Sequence, residues 1–180
     1  MGFSLSWIAI HGKSKANILS DLSLVDTFEL DVANESAISG AELSNGWYVL
    51  VFSDLCHPLV EHLRLIELSS NSTVLGCNVE EHVMYSSAFH YEHGRFAWSL
   101  THDSANGLFD LQSEGVPPEF FPEAFAKGVR DQMAAGGINA SVDYLFGVPL
   151  EIAARICGYR HDQWKFDWGE PKFTELRATS

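Results

Sequence analysis

Residues 73–103 constrain this chain more than any other stretch. Two runs of alternating apolar and polar residues flank Glu92-His93-Gly94, and Gly94 can take the positive φ that a tight hairpin turn requires. The spacing predicts a long strand up to Tyr91, a turn, and a second strand up to Asp103. Pairing about the turn sets Tyr91 opposite Phe96, Phe89 opposite Trp98, Ser87 opposite Leu100 and Tyr85 opposite His102. Tyr85, Phe89, Tyr91, Phe96, Trp98 and Leu100 then share one face, which reads as core. A slip of one residue would turn all of them outward, so the pattern fixes the register.

The reverse face reads as the working surface. It would carry Glu80, His82, Met84, Ser86, Ala88 and His90 on one strand, and Ala97, Ser99, Thr101 and Asp103 on the other. Ser86 falls opposite Thr101, Met84 opposite Asp103, and His82 one step from Asp103. A histidine beside a carboxylate can act as a general base, so His82, Ser86 and Asp103 are the catalytic candidates. The competing reading makes this face a partner-binding surface formed by Glu80, His82, Ser86, His90, Thr101 and Asp103. Its small and polar side chains suit that reading better. At the hairpin tip, His90 and His93 with Glu92 are the candidate metal ligands. Zinc takes three or four converging ligands, and no third is evident, so neither a metal nor another cofactor is expected.

Other segments give a coarse outline. Residues 4–11 (SLSWIAIH) read as a strand that is apolar on both faces, followed by a short amphipathic helix over 13–24 and a half-exposed strand over 25–33. Residues 34–46, rich in Ser, Gly and Asn, read as a loop. Trp47–Phe52 (WYVLVF) reads as a buried strand. Pro58 opens a helix, with His57 at or before its cap. A short strand is expected at 107–112 (GLFDLQ), stopped by Pro117-Pro118, and then a helix to about Ala135, ended by Gly136-Gly137. Pro149 opens a last helix that stops at Gly158. A single acidic domain over 1–162 is expected, followed by an aromatic and charged tail, 163–180, that docks and then frays.

Charge narrows the partners. The chain carries 24 acidic and 11 basic residues, a net charge of −13, and 16 of the acids against 4 of the bases fall in residues 1–120. Such a body repels phosphate backbones and anionic membranes and attracts a basic protein. Nucleic-acid and membrane partners are therefore not expected. Cys56, Cys77 and Cys157 are scattered and odd in number, which fits reduced thiols and a cytoplasmic location. The chain carries no GxSxG elbow, phosphate-binding glycine loop or HExxH pair. Glu81, placed on the apolar side of its strand with Val79 and Val83, would need a cation, and Arg160 is a candidate. Arg160 and His161 also suit the negative end of the helix that stops at Gly158.

Residues 47–52 (WYVLVF), 77–87 (CNVEEHVMYSS), 91–103 (YEHGRFAWSLTHD) and 142–162 (VDYLFGVPLEIAARICGYRHD) together resemble a family of small stand-alone bacterial proteins to which no activity is assigned. The hairpin residues Gly94, Trp98, His102 and Asp103 also resemble a hairpin of small cytosolic immunity-type proteins, a likeness of fold alone. The sequence therefore predicts an α+β domain, with an antiparallel or mixed sheet of about five to six strands and helices packed mainly on one side. The leading function is non-catalytic protein binding, as in an immunity-type inhibitor of a basic partner. The alternatives are a hydrolase or metal-dependent enzyme using the hairpin histidines, and a homo-oligomer that pairs through the hairpin.

Overall fold

The strand that begins the fold, β1 (Ser4–His11), alternates Trp7 and Ala9 with Ile8 and Ile10, and all four are buried. A strand apolar on both faces must be covered on both. In the computed structural model, which describes residues 2–179, helices lie on both sides of the sheet. The helices α3 (Phe121–Ala134) and α4 (Gly147–Cys157) cover Trp7 and Ala9, together with Cys77, Trp98 and Leu100. The helices α1 (Lys15–Asp21) and α2 (His62–Leu68) cover Ile8 and Ile10, together with Val74, Phe89 and Tyr91. The expectation of helices mainly on one side is corrected: β1 cannot leave either face wet.

The fold is α+β, and the sheet is antiparallel at every pairing, but it has nine strands rather than five or six, in the order β2-β9-β3-β4-β1-β5-β6-β7-β8. Three sources supply the extra strands. Residues 34–46, read as a loop, contain β3 (Ile38–Glu42), which pairs with β4 (Trp47–Phe52). Gly40 in β3 is required by contact: a Cβ there would lie 2.3 Å from the Tyr48 hydroxyl. A strand containing Ser and Gly is formed here by its neighbours rather than by its own propensity.

The tail is the second source. Its β9 (Thr174–Ala178) inserts between β3 and β2 (Leu24–Leu30) instead of fraying. Leu176 is buried there, and Asp31 donates its N–H to the Phe173 carbonyl at 3.0 Å. The third source is the stretch 73–91, which is not one strand. It breaks into β5 (Thr73–Glu80) and β6 (Tyr85–Glu92), joined by a turn over 81–84 in which Met84 takes φ 50°. That turn has no Gly, Pro or Asn to announce it. Its neighbours hold it: the Phe3 carbonyl accepts from Glu81 N–H while Phe3 N–H donates to Glu81 Oε2, and Ser104 donates to the carbonyls of Val83 and Met84.

Helix ends follow local chemistry. Ser14 caps α1 by accepting from the Asn17 N–H, and His57 Nδ1 accepts from Leu59 N at the short 3-10 turn Pro58–Val60 that precedes α2. α4 starts at Gly147, two residues before Pro149, and ends at Gly158 in the left-handed region. Its last carbonyls accept from Asn45 Nδ2 and Trp168 Nε1. No helix among the described residues is long and apolar enough to cross a membrane.

Candidate functional site

The hairpin of β6 and β7 (Arg95–Asp103) turns at His93-Gly94, both with positive φ, and Tyr91 pairs with Phe96 as expected. One residue further on the register departs from expectation. Ala97 is extra, so His90 pairs with Trp98, Phe89 with Ser99, Ser87 with Thr101 and Tyr85 with Asp103. This is a β-bulge, and it exchanges the faces of everything beyond it on β7. Gly115, at the end of β8 (Gln112–Gly115), packs on the bulge: a Cβ there would lie 2.1 Å from the Ala97 carbonyl.

The bulge divides the predicted aromatic face. Phe89, Tyr91 and Phe96 face α2, whereas Trp98 and Leu100 face α4. The predicted working face is divided in the same way. Ser86 is 0 % exposed and donates to the Phe146 carbonyl at 2.7 Å, beneath α4. His90 stacks on Trp98 on that side, with ring centroids 5.6 Å apart. Burial lowers the His90 pKa, against the charge of Glu92. His93 sits exposed in the turn, so His90 and His93 do not converge. Among the described residues no three His, Cys, Asp or Glu side chains are grouped to hold a metal ion. His82 lies in the 81–84 turn and bonds Glu80 Oε1 at 2.6 Å instead of approaching Asp103, which accepts from Ala105 N. His82 and Asp103 thus share no hydrogen bond, and Ser86 lies on the other side of the sheet from Asp103. Glu81 accepts from Phe3 N and Arg160 pairs with Asp162, so these two residues are not partners.

Glu80, Thr101 and Asp103 do share a face, with companions that the shifted register reveals. Reading across the strands, Ser6, Asn78, Ser87, Thr101 and Gln112 are successive cross-strand partners. The row beside it is Ser4, Glu80, Tyr85 and Asp103. On the opposite side lie Phe89, Ser99 and Glu114. Hydrogen bonds tie the first row together: Ser6 Oγ donates to Asn78 Oδ1 at 2.9 Å, and Asn78 Nδ2 donates to Ser87 Oγ at 3.2 Å.

This is the α2 side of the sheet, but α2 reaches only its far end. There Val60, His62, Phe89, Tyr91, Phe96 and Glu114 border a hollow of about 270 Å³, with the Tyr91 hydroxyl 2.7 Å from His62 Nδ1. The rest of the face, from Glu80 across Asp103 to Gln112, is half-buried or open, apart from the buried hydroxyls of Ser6 and Ser87. Its carboxylates are Glu80, Asp103 and Glu114. Hydrogen bonds from Ser4 and His82 hold Glu80 below the usual carboxylate range. The arrangement offers hydroxyls, amides and anions on a rigid sheet.

Two histidines matter in ways the sequence reading missed. His102, on the helix-covered face, is 0 % exposed; its Nδ1 lies 2.6 Å from the Asp110 carbonyl and its Nε2 2.8 Å from Asp143 Oδ2. Both partners are acceptors, so both ring nitrogens carry protons and the pair is a buried imidazolium and carboxylate. Burial alone would lower the His102 pKa, but the bonds to Asp143 and Asp110 and their charges hold it above the ordinary 6.5. Asp143 Oδ1 also accepts from the N–H groups of Leu145 and Phe146 at the start of α4. The second is His161, 5 % exposed, with neither ring nitrogen bonded among the described residues. Neither has a local sequence signal, because each partner lies far along the chain or is absent. Comparison with protein-family models, curated proteins and solved structures finds no match to this chain.

Proposed function

We propose that this chain is a non-catalytic protein-binding domain that blocks a basic protein partner, in the manner of an immunity-type inhibitor, through the open face of β5 to β8. The observation that carries the reading is the set of three cross-strand rows on the open sheet face, one bearing Glu80 and Asp103 and another Glu114, with a row of hydroxyls and amides between them. None of the four basic residues of the first 120, Lys13, Lys15, Arg64 and Arg95, stands in these rows. A face of one sign on a rigid sheet speeds encounter with a partner of opposite sign and rejects partners of like sign. The half-buried Tyr85 and the hollow beside Phe89 and Phe96 add the apolar contact that a specific interface uses at its centre.

The test is capture of a basic protein from host extract at low salt by the wild-type chain and by two triple variants. Glu80→Lys with Asp103→Lys and Glu114→Lys reverses the face, and Glu35→Lys with Glu119→Lys and Glu123→Lys makes the same charge change elsewhere. The expected result is loss of at least about tenfold in affinity for the face variant alone, with capture weakened by roughly 0.5 M salt. Equal capture by both variants would remove the proposal.

A further inference from the structure

A second site, separate from the open face, is built where three segments meet. The chain leaving β2 (Val32–Asn34), the chain leaving α4 (159–164) and the chain entering β9 (170–173) enclose a pocket of about 420 Å³. That volume lies within the range of small-molecule sites. Tyr159, Phe173 and Trp164 provide aromatic wall, Pro171 an aliphatic one, and Glu170 the carboxylate; no Lys or Arg lines it among the described residues. Trp164 is 63 % exposed and Val32 83 %, so the mouth has an apolar rim.

His161 lines the same pocket with its ring buried and both ring nitrogens occluded and without a hydrogen-bond partner among the described residues. Burial lowers its pKa to about 4, with Asp162 opposing the shift and Arg160 adding to it, so the ring is neutral at pH 7 and does not repel a cation in the pocket.

We infer that this pocket binds an organic ammonium ion, a primary amine whose charge is met by Glu170 and the aromatic walls and whose hydrocarbon tail packs on Trp164 and Pro171. Aromatic faces attract cations when water is excluded, and Glu170 supplies the counter-charge. An anion would meet Glu170 and a chain of net charge −13, and a neutral molecule would leave that carboxylate unused. The inference stands apart from the docking face, so the failure of either leaves the other intact.

Calorimetric titration with three probes of one shape separates the cases: phenethylammonium, phenethyl alcohol and 3-phenylpropionate. The ammonium is expected to bind with a Kd on the order of 1 mM or tighter, at least about fivefold better than the alcohol, with the carboxylate weakest. It should also shift the 15N resonances of the His161 ring. Glu170→Gln, at an exposed position, should weaken the ammonium about fivefold and leave the alcohol unchanged. Trp164→Ala, also exposed, should weaken both. Absence of binding by the ammonium, equal binding of the alcohol or the carboxylate, or indifference to Glu170→Gln would overturn the assignment.

Discussion

His102 and His161 are both buried, yet their environments push their protonation in opposite directions, and that difference can be measured. His102 is held above 6.5 by Asp143 and the Asp110 carbonyl, so the folded chain holds its proton more tightly than the unfolded chain does. Its stabilisation is complete below about pH 6.5 and is lost as pH rises through the folded value. Asp143 is held below 3.8, despite burial, by His102 and the backbone donors of α4, so its share persists above that value and is lost as pH falls through its lowered one. His102→Gln should cost about 3–5 kcal/mol in urea unfolding near pH 6, because it strands a buried carboxylate, and the gap from wild type should narrow as pH rises through the raised His102 value. His161 behaves in the reverse sense. The unfolded chain takes up its proton near 6.5 and the folded chain only near 4, so stability falls as pH falls through that window. The loss is on the order of 3 kcal/mol. A proton NMR titration should leave the His161 ring signals unmoved at pH 5.5; a His161 midpoint near 6.5 would refute the burial argument.

At the scale of the element, the bulge at Ala97 decides which side chains face α4 and which face the open surface. Gly115 permits it twice over: its φ is +74°, and any side chain would meet the Ala97 carbonyl. Gly115→Ala should cost more than about 1 kcal/mol. Amide exchange should quicken first at Ser113 and Val116, along the β7 and β8 pairing, while β5 and β6 keep their protection. Uniform loss across the sheet would mean that the bulge is not the local cause. The alternation of rings predicted the turn and the Tyr91 and Phe96 pair. It could not predict an inserted residue, because a bulge keeps alternation intact on each side and changes only the phase between them. Gly76 is a second contact-driven position: a Cβ there would lie 2.5 Å from the Phe89 ring, so Gly76→Ala should destabilise by about 1–3 kcal/mol through overpacking.

Across the whole molecule, the last strand closes the fold. β9 bridges β2 and β3, which do not pair with each other, and so fastens one end of the nine-stranded sheet. A chain ending at residue 170 should leave β2 and the flank of β3 unpaired, bury less apolar surface and lose its single cooperative unfolding transition. Retention of a wild-type melting curve would show that the tail is dispensable. Long-range pairing of this kind, between segments nearly the length of the chain apart, also predicts slow folding relative to helical proteins of similar size.

The residues alone determined what depends on near neighbours. The apolar character of both faces of β1 and β4, the left-handed stops at Gly94 and Gly158, the placing of all four helices to within a few residues, and the acidity of the first two thirds of the chain are written in local pattern and charge. Tertiary structure decided what depends on distant ones: the turn at 81–84, held by Phe3 and Ser104; the strand at 38–42, drawn into the sheet by β4; the phase shift at Ala97, allowed by Gly115; and the burial of His102 against Asp143. Local propensity acts over one turn or one alternation, whereas register, burial and the meeting of charges are set by the free energy of packing surfaces far apart along the chain.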